Sequence, residues 1–269
     1  MNLANKKLFL MPVFIILLCS FASASTVTEK FEKTYRFNPG GELTLENTNG
    51  SVTVRSWDRD EVRIEAIKKV KARSSRDAKD YMKRVRIRVD YNPDEINIEA
   101  DYPRRSGGGG GLLSWLFGGR RTPSVTITYT ITVPKKADLD IDTTNGSVSI
   151  SEVNGRIIAE STNGKLKIEE VRGSIDAHTT NGGIHAEVTD FSDNDDVYLK
   201  TVNGHITLYL PRDVEADVSA STVNGGIDTR FPLTVTGRWG PKKLNGTLNG
   251  GGGEIELRTV NGGIDIKRW

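Results

Sequence analysis

The chain has 269 residues, 37 basic and 35 acidic side chains, a net charge of +2 and one cysteine. This balance lacks the basic excess that marks a nucleic-acid binder, so no nucleic-acid partner is expected. The one cysteine, Cys19, falls inside a leader sequence, so the mature chain must be held by hydrogen bonding and packing without disulfides.

In chain order, residues 1–24 read as a secretion signal. Lys6-Lys7 form its basic start, Leu8 to Leu18 its apolar run, and Ala22-Ser23-Ala24 its small-residue cleavage site, with cutting expected before Ser25. The apolar run is shorter than the roughly 20 residues that span a bilayer. Leu18 in front of Cys19 also argues against lipid attachment. Loss of Lys6 and Lys7 leaves 35 basic against 35 acidic residues, a formally neutral mature protein. The signal implies export, with the periplasm or the cell surface and medium as the expected destinations.

Residues 25–103 read as a strand-rich cap with one helix. Asn47-Thr48-Asn49-Gly50-Ser51-Val52 is an early copy of the repeat described below, and Val62, Ile64 and Ala66 alternate as in a strand. Ser74-Ser75-Arg76-Asp77 is a helix start, a hydroxyl three residues ahead of an acid. Ala78, Tyr81, Met82 and Val85 then share one helical face, predicting a short helix over about 75–85. Ile96, Ile98 and Ala100 return to period two, and Val125 to Val133 is the longest clean alternation in the chain. Between these strands, residues 104–122 form a glycine- and arginine-flanked loop with an apolar tip, Leu112, Leu113, Trp115, Leu116 and Phe117. Such a tip suits contact with an anionic membrane surface or a protein partner; the alternative is an insertion that folds back on the cap.

Residues 123–269 carry an internal repeat, Thr-x-Asn-Gly, with corners at Asn145-Gly146, Asn163-Gly164, Asn181-Gly182, Asn203-Gly204, Asn224-Gly225 and Asn261-Gly262. Successive intervals are 18, 18, 22, 21 and 37 residues, the last divided by a weaker copy at Lys243-Leu244-Asn245-Gly246. Asn and Gly tolerate left-handed backbone, so each pair reads as a turn. Aliphatic residues such as Val148 and Ile150, or Leu166 and Ile168, follow each turn at alternate positions. Ile150 and Val153 are three apart, as are Ile168 and Val171. Both can point inward only if the chain bends at Ser151-Glu152 and at Glu169-Glu170. A second corner in each unit favours a coil over a flat meander of hairpins. The expected fold is therefore all-β: a single-stranded β-solenoid with coils of about 18–22 residues, capped by the strand-rich segment. Stacked coils would align the asparagines in a ladder of amide hydrogen bonds.

The run of Thr-x-Asn-Gly-x-Ile units, over roughly Leu43 to Trp269, resembles the bacterial putative-adhesin family of exported β-strand-repeat proteins, a domain of unknown function. The resemblance implies the fold and brings no catalytic residues with it.

The search for chemistry along the chain is negative. His178, His185 and His205 stand in no metal-ligand spacing, and His185 shares an outward slot with Lys167, Thr207, Asp228 and Asp265. No nucleophile elbow is present, and Asp176 and Asp228, the acids a glycan-cleaving reading would use, are several units apart. No catalytic, cofactor-binding or metal-binding residue is expected, and no cofactor. Asp193-Asn194-Asp195-Asp196 is read as a solvated insertion, with structural calcium as its alternative. Trp57 and Trp269 are expected to cap the apolar ends of the stack, and Trp239 to cover an insertion. The reading is a non-enzymatic envelope or surface protein, adhesin or scaffold, whose partner is unknown and could be an envelope component, a glycan or a protein. Competing readings are a periplasmic binding or stress-accessory module docking through Leu112–Phe117, and a polysaccharide-acting β-helix enzyme.

Overall fold

The computed structural model describes residues 25–102, 123–232, 234–235 and 240–269. The signal, the apolar tip 112–117 and Trp239 lie outside the described residues.

The N-terminal part contains β1 (Ser25–Arg36), β2 (Glu42–Asn49), β3 (Val52–Trp57), β4 (Glu61–Ala72), helix α1 (Ser75–Met82), β5 (Arg86–Asn92) and β6 (Glu95–Asp101). The helix starts where its sequence says: the Ser74 hydroxyl accepts a 3.1 Å bond from the Asp77 amide, and Ala78, Met82 and the following Val85 are buried. It ends at Met82, three residues before the expected limit, because Arg86 already pairs as the first residue of β5.

After β7 (Ser124–Pro134), the repeats give paired strands: β8 (Asp138–Asn145) with β9 (Val148–Ser151), β10 (Ile157–Asn163) with β11 (Leu166–Arg172), β12 (Ile175–Asn181) with β13 (Ile184–Asp190), and β14 (Val197–Asn203) with β15 (Ile206–Leu210). The C-terminal part adds β16 (Ala216–Asn224), β17 (Ile227–Thr229), β18 (Thr234–Val235), β19 (Lys243–Leu248), β20 (Gly253–Asn261) and β21 (Ile264–Arg268).

Two large sheets result, and each repeat contributes one strand to each of them. The first sheet runs β1-β4-β7-β3-β9-β11-β13-β15-β21-β17 and the second β18-β19-β16-β20-β14-β12-β10-β8-β2-β6-β5. Pairing between the repeat units is parallel and in register, as in Leu166↔Val148 and Ile157↔Ile175, except for a shift after Ile168 in the β11–β13 pair. Alternate residues fill a thin core between the sheets, for example Leu139, Ile157 and Ile175 from the second sheet and Val148, Leu166 and Ile184 from the first. Each such side chain contributes roughly 1.5 to 3 kcal/mol by leaving water.

The two corners of a unit differ. At the second corner Glu152 and Glu170 adopt φ 61° and 54°, and this bend turns Val153 and Val171 into the core. At the Asn-Gly corner the backbone is not left-handed from β8 onward: none of the six corner glycines, Gly146, Gly164, Gly182, Gly204, Gly225 and Gly262, has a positive φ. What requires glycine there is close approach. A Cβ on Gly164 would lie 1.9 Å from the Gly146 carbonyl oxygen, and one on Gly204 would lie 1.8 Å from that of Gly182. Beside this glycine column the asparagines hydrogen-bond coil to coil: Asn145 to Asn49 (3.0 Å), Asn163 to Asn145 (2.8 Å), Asn181 to Asn163 (2.8 Å), Asn203 to Asn181 (2.9 Å), Asn261 to Asn203 (2.7 Å) and Asn224 to Asn261 (2.9 Å). On the inner side the first hydroxyl of each motif donates to the glycine carbonyl of the neighbouring coil, as Ser161 does to Gly146 (3.0 Å) and Thr179 to Gly164 (2.9 Å). Thr143 is the exception. Its counterpart acceptor, the Gly50 carbonyl, takes a 2.9 Å bond from the Asn47 amide instead, leaving the Thr143 hydroxyl without a partner.

Stacking order departs from chain order in two places. The β2–β3 unit, 96 residues upstream, is the first coil, paired to β8 and β9. At the other end β20–β21, the last unit in the sequence, slots between β14–β15 and β16–β17. The long interval between Asn224 and Asn261 is thus an excursion. Asn245-Gly246 is not a corner, contrary to the repeat reading: it lies inside β19, antiparallel to β16, with Asn245 Oδ1 accepting from Ser219 (3.2 Å). At the N-terminal end β4 and β1 extend the first sheet antiparallel, with α1 packed against both, while β6 and β5 extend the second. Lys68 is buried on this capped face, its Nζ 2.6 Å from Glu29 and 3.3 Å from the Val85 carbonyl.

Substitutions along one corner separate these contributions. Asn163→Ala removes two exposed amide bonds and is expected to cost about 1 to 2 kcal/mol, a fall in Tm of roughly 2 to 6 °C. Gly164→Ala, which drives a methyl into backbone, is expected to cost more than about 3 kcal/mol. Gly226→Ala, with nothing within 4 Å of its added Cβ, should stay within about 0.5 kcal/mol of the parent. Thermal denaturation of the three variants gives the order.

Candidate functional site

The in-register coils turn single outward positions into columns. On the first sheet one column runs Lys167, His185, Thr207, Asp265 and Asp228, and the next carries Glu187, Tyr209 and Lys267. Glu169 joins the second column from β11. The register shifts between Ile168 and Val171, at the left-handed Glu170, and this irregularity lets Glu169 approach His185.

The result is a compact polar cluster. His185 Nε2 lies 2.8 Å from Glu187 Oε1 and 4.0 Å from Glu169 Oε1, and Lys167 Nζ is 2.5 Å from the same Glu169 oxygen. The side chains are 34%, 19% and 27% exposed for His185, Glu187 and Glu169, so both carboxylates are largely withdrawn from bulk water. Aromatic rings wall one side: Tyr209 sits 5.5 Å from His185, centroid to centroid, and Trp269 sits 5.8 Å from Tyr209. The Trp269 indole donates to the Val188 carbonyl at 3.2 Å and its own carbonyl accepts from Arg212 at 2.9 Å. Trp269 therefore does not cap the apolar end of the stack; the chain end folds across the outer face. Trp57 also lies off the core, its indole donating to the Glu61 carbonyl at 2.8 Å with Arg59 stacked over it at 4.9 Å. On the other side of His185 is a shallow trough of ≈ 600 Å³, opened by the missing side chain of Gly183 and flanked by Lys165, Lys167, His205 and Thr207.

Next along the face, Asp265 lies 3.3 Å from His205 and 3.1 Å from Lys267. Burial opposes its ionisation, but hydrogen bonds from Lys267 and His205, with their charges, outweigh it and hold the carboxyl below its ordinary value. The second sheet presents a different face. Asp140 and Asp142 follow each other on β8, and burial, then the charge of Asp140, pushes the Asp142 carboxyl up. His178 Nε2 lies 3.0 Å from Asp176, and the Tyr198 hydroxyl donates to Glu254 at 3.1 Å. Asp176 and Asp228 are on different sheets. In the 193–196 loop the carboxylates cap backbone: Asp195 Oδ2 accepts from the Ser192 amide and hydroxyl at 2.8 and 2.7 Å, and Asp196 Oδ1 from the Glu254 amide at 3.1 Å.

The twelve corner residues Asn145 to Gly262 lie in the ladder and glycine column described above. His185 stands where the outward slot places it, among the variable column positions. Glu169 and Glu187 are what reading along the chain misses. A signal was present: the pairs Lys167/Glu169 and His185/Glu187 are one 18-residue unit apart, so the repeat superposes them.

The Toastrack DUF4097 family model matches residues 124–267, more than half of the chain, and the chain belongs to that family. Among solved structures it is similar to a putative cell adhesion protein from Clostridium sporogenes, at 14% identity over 90% of this chain and 100% of that one, with a TM-score of 0.46. A putative adhesin from Bacteroides fragilis matches at 11% identity over 90% and 97%, TM-score 0.41. A putative lipid binding protein from Parabacteroides distasonis matches at 9% identity over 88% and 96%, TM-score 0.30. No curated protein matches the sequence.

The Asp265 geometry sets a pH dependence. A folded pKa below the unfolded one contributes stability above the usual carboxylate value, lost as pH falls through the lowered value. Asp265→Asn is thus expected to lower Tm at pH 7, by up to about 1 kcal/mol in stability, with the gap to the parent closing below about pH 4. Melting curves of both proteins between pH 7 and pH 2.5 check this.

Proposed function

We propose that the protein is an exported, non-enzymatic component of the cell envelope or surface, an adhesin or scaffold that binds through an extended sheet face, and that its repeat region is a single-stranded β-solenoid. The observation that supports this reading most is the register of the coils. It carries outward positions such as Lys167, His185, Thr207, Asp265 and Asp228 along the first sheet as one continuous column. A periodic face of this kind suits a repetitive or extended partner, a glycan, an envelope component or a protein, because successive contacts recur at the strand spacing of about 4.8 Å. Export rests on the leader pattern of residues 1–24.

A second reading keeps the export and changes the contact: a periplasmic binding or stress-accessory module docking through Leu112, Leu113, Trp115, Leu116 and Phe117, an apolar tip bracketed by Arg104-Arg105 and Arg120-Arg121. The experiment that separates the two is protease accessibility of a tagged copy on intact cells and on cells with the outer envelope opened. Cleavage on intact cells is expected for the surface protein. Protection until the envelope is opened overturns surface adhesion and favours the periplasmic module.

A further inference from the structure

We infer that Glu169, His185 and Glu187 form a binding site for a divalent transition-metal cation of the zinc class on the outer face of the first sheet. The three ligand atoms, one imidazole nitrogen and two carboxylate oxygens, all lie within 4.8 Å of one another. A cation held at about 2.0 to 2.2 Å from each would want them roughly 3 to 3.5 Å apart. The His185–Glu187 separation of 2.8 Å and the His185–Glu169 separation of 4.0 Å bracket that range, so side-chain rotation without backbone movement closes the site. His185 and Glu187 are two apart on one strand and point the same way, while Glu169 comes from the neighbouring strand at a fixed irregularity. The ligands thus stand on rigid elements.

The donor set selects the cation. Imidazole favours zinc and its neighbours over magnesium or calcium, and two carboxylates supply the charge to hold a dication. Both carboxylates are more than two-thirds buried at the side chain, which lowers the dielectric around the pair and raises the attraction for a cation over that of an exposed acid pair. Three protein ligands leave at least one coordination position toward solvent, the pattern of a site that exchanges its outer ligand. Lys167, paired to Glu169 at 2.5 Å, occupies one carboxylate oxygen as a competing cation. It therefore weakens the site, and its removal strengthens it. Asp265, His205 and Lys267 form a separate network one strand pair away and supply no ligand.

The test is calorimetric titration of the untagged mature chain, residues 25–269, with zinc chloride at pH 7.5, together with Co²⁺ titration followed by its visible absorption. One zinc per chain is expected. Glu187→Gln and His185→Ala should each weaken binding by roughly tenfold or more, since even outer-shell changes cost metal sites that much. Lys167→Met should tighten it, by roughly fivefold, and His178→Ala and His205→Ala should leave it unchanged. Co²⁺ absorption should disappear with His185→Ala. Absence of zinc heat in the parent overturns the proposal, as does binding that survives both Glu187→Gln and His185→Ala. Should His185→Ala fail to fold, Glu187→Gln and Lys167→Met decide it: no change in either leaves only a salt-bridged surface and the site is rejected.

Discussion

The structure depends on how closely one coil can lie on the next at the Asn-Gly corner. The carbonyl oxygen of one corner glycine occupies the space a Cβ on the following one would need. That approach lets parallel backbone ladders continue unbroken on both sides of the corner, and it brings the asparagine amides to 2.7–3.0 Å from one another. Every other regularity follows from this contact. The buried hydroxyl column, with Ser161 and Thr179 donating to glycine carbonyls, seals the inner side of the corner, where an unpaired polar group would be costly.

Register at the corner becomes register on the faces. Because the side-chain period of a strand is two, a one-residue slip would move the aliphatic set outward and the polar set into the core. The glycine column forbids the slip, so Lys167 lies over His185 and Glu187 beside Tyr209. The polar cluster on the first sheet is a consequence of stacking two units that keep the glutamate, Glu169 and Glu187, and exchange Lys167 for His185 two positions before it. The left-handed Glu170 then tilts Glu169 into reach.

The ends of the stack show the same constraint relaxed. At the N-terminal end the sheets run on as antiparallel strands, β4 on β7 and β5 on β6, which need no glycine corner, and the helix covers the widened core. At the C-terminal end β19 turns back antiparallel on β16. In both places a switch in strand direction stops the parallel ladder from propagating, which limits growth of the stack at an open edge.

The sequence by itself determined the all-β character, the 18-residue unit, the inward aliphatic columns, the bends at Glu152 and Glu170 and the capped short helix, because each is written in local periodicity or local backbone preference. Helix termination at Met82 needed the competing strand β5. Chain pattern also assigned the corner glycine to a left-handed turn, when its real cause is contact with the corner glycine of the neighbouring coil, 18 or more positions away. Only tertiary structure could decide the stacking order: Asn224 and Asn261 look consecutive along the chain, yet the coil of Asn261 intervenes between those of Asn203 and Asn224. Strand pairing of this kind is chosen by shape and edge satisfaction across long loops, where closure entropy changes slowly with length and sequence spacing carries little information. The Glu169–His185–Glu187 cluster belongs to the same class. Its members lie on two strands, and their convergence is set by pairing and by one local irregularity.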